Sequence, residues 1–175
     1  MNKLYCAGTF CFDFLDSNYR EMAKKDYRSL VLGDSALLLQ KSDYVLLNKK
    51  LKYIGPFYFE SEGMVDELIV SSEVGMIREC THAVFLLDEG CCPGTIAELI
   101  LASELKKNVQ IFYIRRGDSE ETESKLHTPC WFPIIMSQQI NHNNTKVVEC
   151  KNYEEAIENI LSYVRSVSYT HLRAH

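Results

Sequence analysis

Two glutamates, Glu73 and Glu98, stand where a carboxylate is out of keeping with its neighbours. Glu98 follows Thr95-Ile96-Ala97 in a stretch rich in Ile, Leu and Ala. At 100° per residue it falls among Leu101, Ala102 and Leu105 rather than on a polar face. Glu73 lies four residues after Ile69 and four before Ile77, at the margin of an apolar stripe. Carboxyl groups kept in apolar company have altered proton affinity, and such groups gather where ligands are bound and bonds are broken. Each residue also has a plainer reading. Glu98 completes the capping-box pattern Thr95-Ile96-Ala97-Glu98 and would then serve a backbone donor, and Glu73 can snorkel to water from the edge of its stripe. Spacing leaves both pairs of readings open.

The elements that must position them can be read around Glu98. Ala83 to Leu87 is an apolar run too short for a typical helix, so it is expected to be a strand buried on both faces. The polar turn Asp88 to Gly94 follows, then a helix from Thr95 to Leu105. In open parallel sheets such a junction lies at the carboxyl end of a strand, where backbone N–H groups and the positive helix end favour an anionic ligand. Glu73 belongs to a helix expected over Met64 to Cys80, with Val65, Leu68, Ile69, Ser72, Met76, Ile77 and Cys80 forming the stripe that faces the sheet.

Elsewhere Lys3 to Ala7 reads as a first strand, and Gly8-Thr9-Phe10 opens a loop in which Phe10, Phe12 and Phe14 surround Asp13 and Asp16 and could line a pocket. Asn18 to Lys25 reads as a short helix. Ser35 to Phe59 holds three short apolar runs in a hairpin-like region, ended by Gly55-Pro56 with Phe57 at its mouth. Further on come a strand at Val109 to Ile114, a charged loop to Lys125, a helix from Thr128 to Gln139, a turn at Asn141 to Asn144, a strand at Lys146 to Glu149 and a helix at Tyr153 to Val164 capped by Asn152. This alternation implies an α/β, flavodoxin-like or Rossmann-like doubly wound fold with a mainly parallel five-stranded sheet in the order 2-1-3-4-5. A single domain is expected over residues 1–165. The stretch Ser166 to His175 reads as a tail outside it, non-native or disordered.

The chain has 175 residues and a net charge of −5, without a large Lys/Arg cluster, which argues against a nucleic-acid surface and for a small-molecule ligand. No apolar run approaches the length of a membrane span, so a cytoplasmic protein without membrane contact is expected. Seven cysteines without a C-x-x-C pair read as reduced thiols, with Cys6, Cys80 and Cys150 beside core segments and no zinc site.

Leu4-Tyr5-Cys6-Ala7-Gly8-Thr9-Phe10 is similar to the opening strand and glycine loop of the nucleoside 2-deoxyribosyltransferase-like family. Glu73 with Met76-Ile77-Arg78-Glu79-Cys80, then the strand Val84 to Asp88, then Gly94-Thr95-Ile96-Ala97-Glu98 resembles that family's base-side carboxylate, strand and nucleophile helix, in order and in spacing. The resemblance runs from about residue 3 to 114 and is poor over residues 18–55. It implies that Glu98 attacks C1′ of a nucleoside and that Glu73 hydrogen-bonds or protonates the leaving base. A carboxylate suits that first task because it can stabilise an oxocarbenium-like centre and trap it as an ester. The resemblance further marks Tyr5, Gly8, Thr9, Phe10, Asp13, Phe57, Asp88, Cys92, Gly94 and Thr95 as substrate-binding candidates, with no cofactor or metal, and implies a homo-oligomer in which residues after Pro129 contribute to a neighbour's site. Cys92 departs from the family pattern, since a carboxylate often stands there, and Asp88 can equally be a plain strand terminus. The G-T-x-x-E pattern also resembles that of cytokinin-activating phosphoribohydrolases. Three functions follow as expectations: glycosyl transfer between bases, hydrolysis of a nucleoside or nucleoside 5′-monophosphate, and non-catalytic nucleotide sensing on the same fold.

Overall fold

Alternating burial along the first strand sets how the chain is layered. In β1 (Asn2–Gly8), Leu4 and Cys6 pack into one apolar cluster while Tyr5 and Ala7 pack into another, so both faces of the strand are covered. The same division recurs in β4 (His82–Leu87), where Val84 opposes Ala83, Phe85 and Leu87, and in β5 (Asn108–Ile114), where Phe112 and Ile114 oppose Val109, Ile111 and Tyr113. The computed structural model describes residues 1–8, 19–40, 42–58, 66–88, 92–115 and 131–169.

Helices cover both faces, which makes the fold doubly wound. One face carries α1 (Tyr19–Lys25), α2 (Tyr27–Leu32), α3 (Ser35–Leu38) and α7 (Tyr153–Tyr169), whose buried residues include Ala23, Val31, Leu38, Ala156 and Ile160. The other carries α4 (Asp66–Glu79), α5 (Pro93–Glu104) and α6 (Trp131–Ile140), anchored by Ile77, by Leu99 and Ala102, and by Ile134. The remaining strands are β2 (Val45–Leu46), β3 (Leu51–Gly55) and β6 (Thr145–Cys150). The six-stranded sheet runs β2-β3-β1-β4-β5-β6. Its five parallel strands have the expected order, and the short β2 adds an antiparallel edge beside β3 that the expected five-stranded sheet did not contain.

The hairpin expected within residues 35–59 is therefore β2-β3. Leu37 and Leu38, read as part of a strand-like run, belong instead to the short helix α3, because Asp34 caps it by accepting from the Ala36 N–H at 2.9 Å. Helix α2 was not anticipated. It too starts at an aspartate cap, with Asp26 accepting from the Arg28 N–H at 2.8 Å.

Two further corrections concern helices. The stripe of α4 has the sheet beneath only its second half, where Ile77 and Cys80 are buried; Leu68 and Ile69 are exposed, because helical period marks a face and not how far its partner extends. Helix α7 does not stop near residue 165. Val167 continues the spacing of Ala156, Ile160 and Val164 and is only 5% exposed, and Asn48 Nδ2 donates to Ser168 Oγ at 2.7 Å. Cys6, Cys80 and Cys150 are buried free thiols. No helix among the described residues is long and apolar enough to cross a membrane.

Candidate functional site

Strand order reverses between β1 and β4, since the chain leaves β1 toward β3 and returns past it to β4. In open α/β sheets the crevice at the carboxyl ends of such strands is where ligands bind. Two glycines shape that edge. Gly8 ends β1 at φ +153°, and a Cβ there would lie 3.2 Å from the Leu86 carbonyl oxygen of β4. Gly55 ends β3 at φ +142°, directly under Met76 of α4, which lets that helix settle against the strand ends.

Helix α5 begins after Cys92, an extended N-cap without a side-chain hydrogen bond, with Pro93 in the first turn, where a missing N–H costs nothing. Thr95 therefore lies inside the first turn, and Glu98 a turn further on is not the partner of a Thr95 cap. The capping-box reading of Glu98 is set aside by this geometry. Leu99 and Ala102 dock on the sheet, which turns Glu98 toward β1, where Tyr5 Oη donates to Glu98 Oε1 at 2.7 Å. From the adjacent helix, Glu73, one turn before the anchor Ile77, hydrogen-bonds the Glu98 carboxyl. Glu73 is half-buried, not a solvated edge residue.

The electrostatics of this pair are unusual for glutamates. Burial and then the charge of Glu98 push Glu73 from an ordinary 4.5 to about 7. Burial also raises Glu98, but the Tyr5 hydroxyl, the charge of Arg28 and the hydrogen bond from Glu73 all oppose the rise. Both carboxyls are held above the ordinary range, and the bond between them raises Glu73 and lowers Glu98, which favours Glu73 as the one that keeps a shared proton. Burial, followed by the neighbouring Glu98 and Glu73 charges, holds the Tyr5 phenol well above its usual range, so it remains a donor. The arrangement thus offers a carboxyl that could act as nucleophile or electrostatic stabiliser next to a proton donor poised near neutrality.

Of the other candidates, Gly8 lies at the carboxyl end of β1, Asp88 is half-buried directly after β4, and Cys92, Gly94 and the buried Thr95 form the start of α5, all at this edge of the sheet. Phe57 lies elsewhere. It is buried in the core of the opposite face with its ring edge-on to Tyr53, centroids 5.2 Å apart. Thr9, Phe10 and Asp13 are outside the described residues. Among the described residues no group of three or more His, Cys, Asp or Glu comes together as a metal site would require. Reading the sequence missed Arg28, a fully buried guanidinium near the pair, whose only signal is an arginine within the apolar Tyr27 to Leu32 segment.

Fold and site together define a doubly wound α/β protein with a hydrogen-bonded carboxyl pair at its topological switch point. The chain is similar in fold to the Clostridium botulinum CMP N-glycosidase BcmB, with a TM-score of 0.50 and 15% sequence identity over 93% of this chain and 99% of that one. No family model matches the sequence. No curated protein matches it either.

Proposed function

We propose that this protein is an enzyme that breaks the N-glycosidic bond of a nucleoside or nucleotide through a covalent intermediate on Glu98. The observation that carries the reading is the carboxyl pair itself, with Glu98 held by the Tyr5 hydroxyl at 2.7 Å and Glu73 raised to about 7 beside it. A sugar entering the crevice parts the two groups. Glu98 then bonds to the anomeric carbon as the bond from that carbon to the base nitrogen breaks, and Glu73 delivers its proton to the departing base. Tyr5 keeps Glu98 aimed by its 2.7 Å hydrogen bond, which makes it a positioning residue. The glycosyl ester is resolved by water, with Glu73 now taking a proton, or by a second base. Gly8 on one side and Cys92, Gly94 and Thr95 on the other are assigned to the substrate, with Asp88 beside them.

Hydrolysis of a nucleoside 5′-monophosphate is the favoured variant of this reading. A protein of similar fold is a CMP N-glycosidase, and the start of α5 offers N–H groups at the same edge of the sheet. Transfer between bases is the second variant. Product analysis separates them: the protein is incubated with a panel of deoxynucleosides and nucleoside monophosphates, CMP included, with and without a free second base. Free sugar or sugar phosphate identifies a hydrolase, a new nucleoside identifies a transferase, and no product across the panel refutes the proposal in favour of a nucleotide sensor.

A further inference from the structure

Behind the carboxyl pair lies a cation that the reaction proposed above leaves unused. Arg28 in α2 is fully buried, where an unpartnered guanidinium would be prohibitively costly. Its donors reach three acceptors: Nη1 to Asp26 Oδ2 at 2.8 Å, Nε to the Cys6 carbonyl at 2.8 Å and Nη2 to the Gly8 carbonyl at 2.5 Å. Between those two carbonyls, the Ala7 carbonyl accepts from Tyr27 Oη at 2.7 Å. Tyr58 Oη donates to the same Asp26 Oδ2 at 3.0 Å.

The pairing of β1 explains why such a clamp is needed. Strand β1 loses its β3 partner after Tyr5 meets Gly55, whereas pairing with β4 continues to Gly8. Beyond Gly55 the chain turns away through Pro56, which has no N–H to offer. Helix α2 supplies donors to the Cys6, Ala7 and Gly8 carbonyls instead. The residue directly before this clamped run, Tyr5, is the one that donates to Glu98. The backbone that Arg28 grips is therefore the backbone that aims the tyrosine. A planar fork suits the task, because one ammonium could not span an aspartate and two carbonyls two residues apart.

Arg28 also acts across space. Its charge opposes the upward push of burial on both Glu98 and Glu73. Among the described residues, the ionisable groups around the pair are Tyr5 from β1, Glu73 from α4, Glu98 from α5 and Arg28 from α2; those around Arg28 are Asp26, Tyr27, Tyr53 and Cys6. Arg28 is the cation in both sets.

We propose that Arg28 is a positioning residue for the Glu73 and Glu98 pair: its guanidinium ties down the carboxyl end of β1 beneath Tyr5 and is the internal cation against which Glu98 is held. The role rests on the reading of that pair as the reacting site, so its test includes a measurement made without substrate. Arg28→Met combined with Asp26→Asn removes the cation without stranding a buried carboxylate, and Arg28→Lys keeps the charge but loses the fork. In glutamate-labelled protein the side-chain carboxyl resonances of Glu73 and Glu98 are followed by NMR as pH is raised. Glu98 in the double variant should titrate about one pH unit higher than in the unmodified protein, a tenfold rise in proton affinity, and in Arg28→Lys it should recover most of that unit. Turnover by Arg28→Lys should fall about tenfold in kcat with little change in KM, because aim is lost and not binding. An unmoved Glu98 titration in the folded double variant overturns the proposal. Full kcat in Arg28→Lys overturns it too, and that variant decides the matter if the double variant does not fold. Lack of any turnover in the unmodified protein would refute the reaction alone; the titration still judges Arg28.

Discussion

A proton shared between Glu73 and Glu98 ties the stability of the protein to pH, with a sign that follows from the direction of the shift. Glu73 titrates near 4.5 when unperturbed and at about 7 in the folded chain. Below 4.5 both states hold the proton and Glu73 contributes no penalty. Between 4.5 and 7 only the folded state keeps it, so stability falls as pH rises through this window and levels off above it. Glu73→Gln should flatten that dependence and, at pH 8, be more stable than the unmodified protein by on the order of 1 kcal/mol once solvent screening at a half-buried group is allowed for. Chemical denaturation at pH 5 and pH 8 checks this, and an unchanged slope between the two would count against a shared proton. Glu98→Gln is expected to retain the Tyr5 hydrogen bond and the fold while abolishing turnover, whereas Glu98→Ala strands the buried Tyr5 hydroxyl and should cost roughly 1–3 kcal/mol as well. Intact mass after exposure to a slow, fluorinated nucleoside analogue should show an adduct on the Glu98 peptide, and substantial turnover by Glu98→Gln would sink the covalent step. Both carboxylates were legible from their apolar spacing. Tyr5 as their holder was not, because a strand tyrosine reads as core and its partner lies 93 positions away.

At the scale of elements, the parallel strands and the long helices were legible wherever burial imposes a period, as in β1, β4, β5, α5 and the start of α7. Residues 27–38 were not, since α2 and α3 are too short to show a period and start at aspartate caps, with α2 tied to β1 by Tyr27 and Arg28. The end of α7 was misjudged for a different reason: the polar residues after Arg165 hide one more apolar position, Val167, which completes the stripe. Two truncations test the last turn of α7. Ending the chain after Tyr169 should leave the melting temperature unchanged. Ending it after Arg165 removes the Val167 side chain from the core and the Ser168 contact to Asn48, and should cost about 1–3 kcal/mol, read as a lower melting temperature. Equal melting temperatures for the two truncations would show that the last turn of α7 contributes nothing.

Over the whole molecule, the two helical layers differ in what they present to solvent. The layer that holds Glu73 and Glu98 has apolar residues on its outside: Leu68, Ile69 and Val70 on α4, then Trp131, Phe132, Ile135 and Met136 on α6, with α5 and its exposed Leu105 packed between. Phe132 is 59% exposed and Leu68 56%, beyond what single scattered surface residues explain. Helix α6 contains no charged residue, so a copy of it related by a two-fold axis would meet no like charge, which favours a second copy of this chain as the partner of that face. We therefore predict a homo-oligomer built on α6, with the partner lying against the layer that carries the carboxyl pair. Sedimentation at micromolar concentration should give a dimer or larger species. Phe132→Glu should yield a monomer of nearly unchanged stability, because substitutions at exposed positions typically move stability by no more than about 0.5 kcal/mol. If the unmodified protein sediments as a monomer, the apolar face of α6 is not a self-association surface, and the site must be complete within one chain.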